Sequence, residues 1–224
     1  MPKRAKGGGK KPKPSSKLEN SIREKGFSLV CGVDEVGMSA IAGNVVCSAV
    51  ILDSSAKPIK GLNDSKLLTP EQRTDLYDII IDRCIAYSIG SSTVEVINQK
   101  NIYWASRDAM LSAIAQLDPQ PDYLLVDGKQ PLKGTEIPQQ AIVKGDQRCC
   151  CIAAASVIAK VTRDRMMEMF HEMYPDYAWC SNKGYPSPAH REGIMKHGIT
   201  PLHRINFKGV IKEGGWKKFR IIQS

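Results

Sequence analysis

Apolar residues run along this chain in short blocks whose period changes. Phe27 to Val33 is one compact apolar run and Ala42 to Leu52 another, rich in Val and Ile and entered through Gly43. Both read as buried strands. Thr69-Pro70-Glu71-Gln72 opens a helix that runs to about Cys84, with Thr69 as N-cap, Pro70 at the first helical position and Gln72 able to complete a capping box. Ile85 to Thr93 returns to strand. Asn101 to Leu117 is a longer helix, with Ile102, Ala105, Ala109, Leu111 and Ile114 facing inward and Pro119 and Pro121 ending it. Tyr123 to Val126 and Ala141 to Val143 are brief apolar strands. A long helix follows the second, in which Ala154, Val157, Ile158 and Val161 recur at i, i+3, i+4 and i+7. Strands alternating with helices predict an α/β sheet whose ligand site lies along its carboxyl edge.

Acids stand where these strands end. Gly32-Val33-Asp34-Glu35-Val36-Gly37 places two carboxylates after an apolar run, Val126-Asp127-Gly128 repeats the arrangement, and Lys144-Gly145-Asp146 repeats it again. Successive strand residues point to opposite faces, so Asp34 and Glu35 serve one site only if the strand ends or bulges there, which Gly37 makes easy. Taken alone, the hexapeptide is more readily an acidic turn than a metal site. The acids that follow reverse that balance. Asp146, just before the long helix, also has a structural reading as its N-cap.

Charge adds a partner class. The 224-residue chain has a formal net charge of +9, but residues 1–17 carry Lys3, Arg4, Lys6, Lys10, Lys11, Lys13 and Lys17 without an acid, leaving the remainder nearly neutral at 25 basic against 23 acidic residues. With its glycine triplet and no apolar anchor, this segment reads as a disordered basic tail, and 18–224 as one globular domain. The tail either grips phosphates without sequence preference or only solubilises the chain. No apolar run is long enough to span a membrane and no secretory h-region opens the chain, so a cytoplasmic location without a membrane partner is expected. The seven cysteines lack paired Cys-x-x-Cys spacing. Zinc is therefore not expected, nor are disulfides in a reducing compartment.

Taken in order, Gly32-Val33-Asp34-Glu35, Leu62-Asn63-Asp64-Ser65-Lys66, Val126-Asp127-Gly128, Lys144-Gly145-Asp146, Ile152 to Asp164, Asn182-Lys183-Gly184-Tyr185 and His197 to Arg204 resemble ribonuclease HII, the type II ribonucleases H, from about residue 27 to 207. The resemblance implies an RNase H-like mixed β-sheet flanked by helices with a C-terminal helical extension. It implies a monomeric endonuclease acting on RNA–DNA hybrids and on ribonucleotide-containing duplex DNA. By position, Asp34, Glu35, Asp127 and Asp146 become the catalytic ligands of Mg²⁺ or Mn²⁺. Carboxylates suit those hard ions, and two ions about 4 Å apart can clamp a scissile phosphate. Asp164 stays outside this set, as a solvated or salt-bridged helix residue.

For substrate choice the resemblance points to Tyr185 as the group that meets the ribose, and to the turn Gly37-Met38-Ser39, which stands where the family usually carries Gly-Arg-Gly. Ala40 replaces the usual proline. Met38 removes a cation, and Ser39 adds a Cβ that would cost roughly 1–3 kcal/mol in a left-handed backbone. Lys66, Lys144 and Lys183 are candidate phosphate contacts, although a loop lysine is more often only solvated. Tyr185 also reads as an ordinary half-buried tyrosine, and His190, His197 and His203 as capping or core residues. Two function classes stay open, a metal-dependent hybrid nuclease and a non-catalytic nucleic-acid-binding relative that kept the fold.

Overall fold

The structure is a computed structural model and describes residues 13–210. Five strands form one mixed sheet in the order β3-β2-β1-β4-β5, comprising β1 (Val30–Val36), β2 (Val45–Leu52), β3 (Cys84–Ser92), β4 (Tyr123–Asp127) and β5 (Gln139–Ile142). The first three are antiparallel neighbours, while β4 lies parallel to β1 and β5 parallel to β4. Helices occupy both faces, as the alternation of periods predicts.

Helix α5 (Cys150–Met173) covers one face, supported by α2 (Pro70–Arg83), and α4 (Ile102–Ala115) covers the other. Two glycines let the helices come that close. A Cβ on Gly32 would stand 2.2 Å from the Cys151 carbonyl carbon, and one on Gly90 would stand 2.1 Å from the Ala109 oxygen. The capping box of α2 forms as expected, Thr69 accepting from the Gln72 amide and Gln72 from the Thr69 amide. The inward face of α4 holds Ala105, Ala109 and Ile114 as expected; Met110 and Ala113 are buried as well, whereas Ile102 and Leu111 are only half-buried.

Of the expected tail, residues 1–12 lie outside the described residues. Ser15 bridges to Cys149, and Lys17 opens α1 (Lys17–Arg23), which is followed by β1. The short α3 (Val94–Lys100) precedes α4, and α6 (Trp179–Asn182) and α7 (Pro188–His197) build the C-terminal helical part. The seven cysteines are free. None of the described helices is long and apolar enough to cross a membrane.

The first strand departs from its expected bounds. It continues through Asp34 and Glu35, paired opposite Ser48 and Cys47, instead of ending or bulging before them. Its pairing with β4, by contrast, stops at Val33–Val126. Asp34 follows the parity of Gly32 toward α5 and Glu35 that of Val33 toward α4, so the two meet around an edge that β4 leaves open. Asp146 also departs from expectation. It lies in a 3-10 turn, Gly145–Gln147, and the N-cap of α5 is Cys149, without a side-chain cap.

Candidate active site

Carboxylate oxygens of Asp34, Glu35 and Asp127 all lie within 4.8 Å of one another. β1 supplies the first two and the last residue of β4 the third. The Glu35 amide donates to Asp34 Oδ1 at 2.7 Å and the Gly145 amide to Asp127 Oδ1 at 2.7 Å, so backbone groups aim two of the three carboxylates.

Burial and mutual repulsion hold these acids toward their protonated forms. Desolvation, then Glu35, Asp127 and Asp146, raise Asp34 well above the usual carboxylate range. Glu35 is pushed up to about 7, by burial first and then by Asp127, with Arg107 and Lys66 pulling the other way. Asp127 is raised by burial against the Gly145 amide and Lys66. Asp146, 5% exposed, reaches about 6 through burial, Asp64 and Asp127. It neighbours the triad electrostatically, while the close group of ligand oxygens is formed by the other three acids. A set of hard oxygen donors that gains from losing protons to a cation fits divalent metal ions.

Asp64 is the acid that sequence reading passed over. It is 4% exposed, accepts from the Lys66 amide and from Gln147 Nε2 at 3.1 Å, and raises the Asp146 carboxyl. Its signal lay in Asn63-Asp64-Ser65-Lys66, where a buried Ser65–Ser156 contact of 2.8 Å pins the loop to α5. Arg107 was also missed, because only the docking of α4 brings it beside Glu35. Arg107 and Glu35, with Met38, Tyr103, Trp104, Asp127 and Lys133, line a groove of about 560 Å³.

The lysines divide. Lys66 Nζ stands 3.8 Å from Asp146 Oδ2 with its side chain 78% exposed, poised over the acids. Lys144 is exposed in the left-handed region at φ 55°, opening the turn that carries Asp146. Lys183 is engaged by Glu168 Oε1 at 2.7 Å and by the Cys180 carbonyl. Asp164 pairs with Lys160 and Arg73, consistent with its exclusion.

In the turn Gly37–Ala40, closed by the Ala40 amide on the Gly37 oxygen at 3.3 Å, only Gly37 has positive φ, at 95°. The strain expected from Ser39 does not arise, since its backbone is not left-handed; Ser39 is exposed and Met38 half-buried against Val45, Ile97 and Ala105. Tyr185 is half-buried with the Arg163 guanidinium 5.6 Å from its ring centre. His190 and His203 are core residues, their Nε2 atoms 3.2 Å apart beneath Trp179, whereas His197 is exposed near Asp176.

The sequence profile of the family described as Ribonuclease HII matches residues 31–210. The chain is 49% identical over 193 residues to a ribonuclease HII of Solibacter usitatus, covering 86% of this chain and 83% of that one. It is 47% identical over 199 residues to one of Ruegeria sp., covering 89% and 86%. Its fold is similar to the crystal structure of ribonuclease H2 from Pyrococcus horikoshii, with TM-score 0.70 and 28% identity over 82% of this chain and 95% of that one.

Proposed function

This chain belongs to the ribonuclease HII family and is a ribonuclease H hydrolase; on that footing we propose that it cuts the RNA strand of RNA–DNA hybrids and also ribonucleotides embedded in duplex DNA, using Mg²⁺ or Mn²⁺. The observation that carries this reading is the convergence of Asp34, Glu35 and Asp127 within 4.8 Å, with Asp146 alongside. These four acids would hold a pair of divalent ions, which when bound supply charge neutralisation at the scissile phosphate and an activated water. The backbone amides of Glu35 and Gly145 fix the orientation of the Asp34 and Asp127 carboxylates within that set. Lys66 and Arg107 offset the remaining negative charge, and Lys133 on the groove wall and the exposed Lys144 before the Asp146 turn can receive flanking phosphates.

Selection falls to other residues. Tyr185 offers a ring to the sugar and the turn Gly37-Met38-Ser39 offers amides to the 2′-hydroxyl, and a turn carrying Met38 reads a single ribonucleotide less well than a hybrid with many. The non-catalytic alternative would be favoured by loss of an acid, and all four are present. Cleavage of a hybrid, of a duplex with one embedded ribonucleotide and of plain DNA, each with Mg²⁺, Mn²⁺ or chelator, tests the reading. The first two are expected to be cut only with a divalent ion and the third not at all. Cutting of plain DNA, or cutting in chelator, overturns it.

A further inference from the structure

Arg163 on α5 and Arg204 beyond α7 are 1% and 0% exposed, and among the described residues no carboxylate lies within ion-pair distance of either. Burying a cation without a counter-ion is costly unless dipoles replace the lost water. Here backbone carbonyls do so, for every guanidinium nitrogen except Arg204 Nη2, which is buried without a partner among the described residues. Arg163 donates to Asn44 O at 2.9 Å, Lys183 O at 2.8 Å and Ala42 O at 3.0 Å. Arg204 donates to Gly43 O at 2.9 Å, Gly37 O at 2.6 Å and Ala40 O at 2.8 Å. Burial, and for Arg204 the neighbouring Arg163, hold both guanidinium groups below their ordinary values, Arg204 at about 9.

These carbonyls belong to two segments, 37–44 and the loop that ends in Tyr185. The segments are also joined directly, the Ile41 and Ala42 amides both donating to Gly184 O at 2.9 and 3.2 Å. Contact is close enough that a Cβ on Gly37 would meet Arg163 Nε at 2.4 Å and one on Gly184 would meet Ala42 O at 2.6 Å. With the Gly37 and Ala40 oxygens drawn inward, the amides of Met38 and Ser39 are left without an acceptor among the described residues. The ring of Tyr185 rests near Arg163.

We infer that Arg163 and Arg204 are paired positioning residues for ribonucleotide selection, fastening Tyr185 and the Gly37–Ala40 turn into one rigid reading surface whose free amides face the substrate. The inference rests on the substrate reading above. The planar fork is what the task requires, because one guanidinium holds three carbonyls at fixed angles, which an ammonium on a flexible stem cannot do. The two buried charges behind the turn also favour approach of a polyanion.

Arg204→Lys tests it, since it keeps the charge and loses the fork. The expected result is a loss of about tenfold in kcat/KM on a duplex with one ribonucleotide, larger than the loss on an extended hybrid and carried by KM. Mn²⁺ affinity of the free enzyme, measured by calorimetry, stays unchanged because no metal ligand is touched. Equal losses on both substrates, alongside a lowered thermal midpoint, would show the arginines to be structural and overturn the inference. Should Arg204→Lys not fold, Arg163→Lys carries the same expectation through Tyr185. An unchanged substrate ratio in that variant, or failure of both to fold, overturns it as well. If the unsubstituted protein itself makes no distinction between ribose and deoxyribose, the functional reading has failed first and this inference falls with it.

Discussion

Lys66 Nζ lies 3.8 Å from Asp146 Oδ2, above a cluster of carboxylates whose ionised forms it helps to maintain. Burial would depress the lysine, but Asp34, Asp146, Asp64 and Asp127 outweigh it and raise its pKa. The same ammonium repels any cation that enters. Lys66→Met is therefore expected to tighten Mn²⁺ binding to the free enzyme about threefold, within the range of a partly exposed charge pair, and to raise KM for a hybrid. Calorimetry and steady-state kinetics check both. Weaker Mn²⁺ binding would mean that Lys66 organises the acids more than it opposes the ion.

Asp34→Asn and Asp127→Asn are expected to lower kcat by about a thousandfold or more while the protein stays folded. Because Asp34 is destabilised by burial and by its acidic neighbours, removing its charge should also stabilise the metal-free protein, by roughly 1 kcal/mol. Thermal unfolding in chelator reads that gain. A destabilised Asp34→Asn would show that the hydrogen bond from the Glu35 amide outweighs the repulsion.

Glu35 sets a pH dependence. Its folded pKa, about 7, exceeds the ordinary value of 4.5, so between these limits the folded protein holds a proton that the unfolded chain has released, and stability falls as pH rises through that window. His203, lowered to about 3 by burial and by His190, acts with the opposite sign up to 6.5, so the comparison must cancel it. In chelator, Glu35→Gln should gain on the unsubstituted protein by roughly 2 kcal/mol between pH 4 and pH 8. A difference that does not change with pH would refute this, and saturating Mn²⁺ should abolish the gain.

Since Ser39 carries no left-handed strain, substrate preference should rest on Met38. Met38→Arg is expected to raise kcat/KM on a single-ribonucleotide duplex relative to an extended hybrid by about three- to tenfold, the scale of one added phosphate contact. Ser39→Gly alone should leave that ratio unaltered. If Ser39→Gly moves it and Met38→Arg does not, backbone adaptation on binding matters more than charge.

Deletion of residues 1–12 removes Lys3, Arg4, Lys6, Lys10 and Lys11 and leaves Ser15 and α1 in place. Hybrid binding should weaken and its salt dependence flatten, without movement of the cut site. An unchanged salt slope would make the tail a bystander. Deletion through Lys17 should in addition lower the thermal midpoint, because it reaches into α1.

Much of the architecture was legible in short stretches, and for local reasons. A capping box needs only Thr69, Pro70 and Gln72, and a buried strand needs only a run such as Tyr123 to Val126; both formed as read. The three carboxylates that cluster were legible as acids closing apolar runs, each marked by its neighbours along the chain, while their reading as ligands came from the resemblance. How Asp34 and Glu35 share one site was not, since that depends on where β4 stops pairing with β1.

Asp64 and Arg107 are further cases, each brought to the acids by an element distant in sequence and each ordinary in its local context. The backbone of Ser39 and the engagement of Lys183 by Glu168 likewise follow from packing that no neighbouring residue announces. Arg163 and Arg204 lie furthest from any local signal, because their partners are carbonyls up to 167 residues away and a carbonyl has no letter in the sequence. Side-chain chemistry along the chain thus determined which elements form and which acids are available. Long-range backbone contacts, which alone decide the direction of a carboxylate or an amide, determined how those acids meet and which amides the substrate finds.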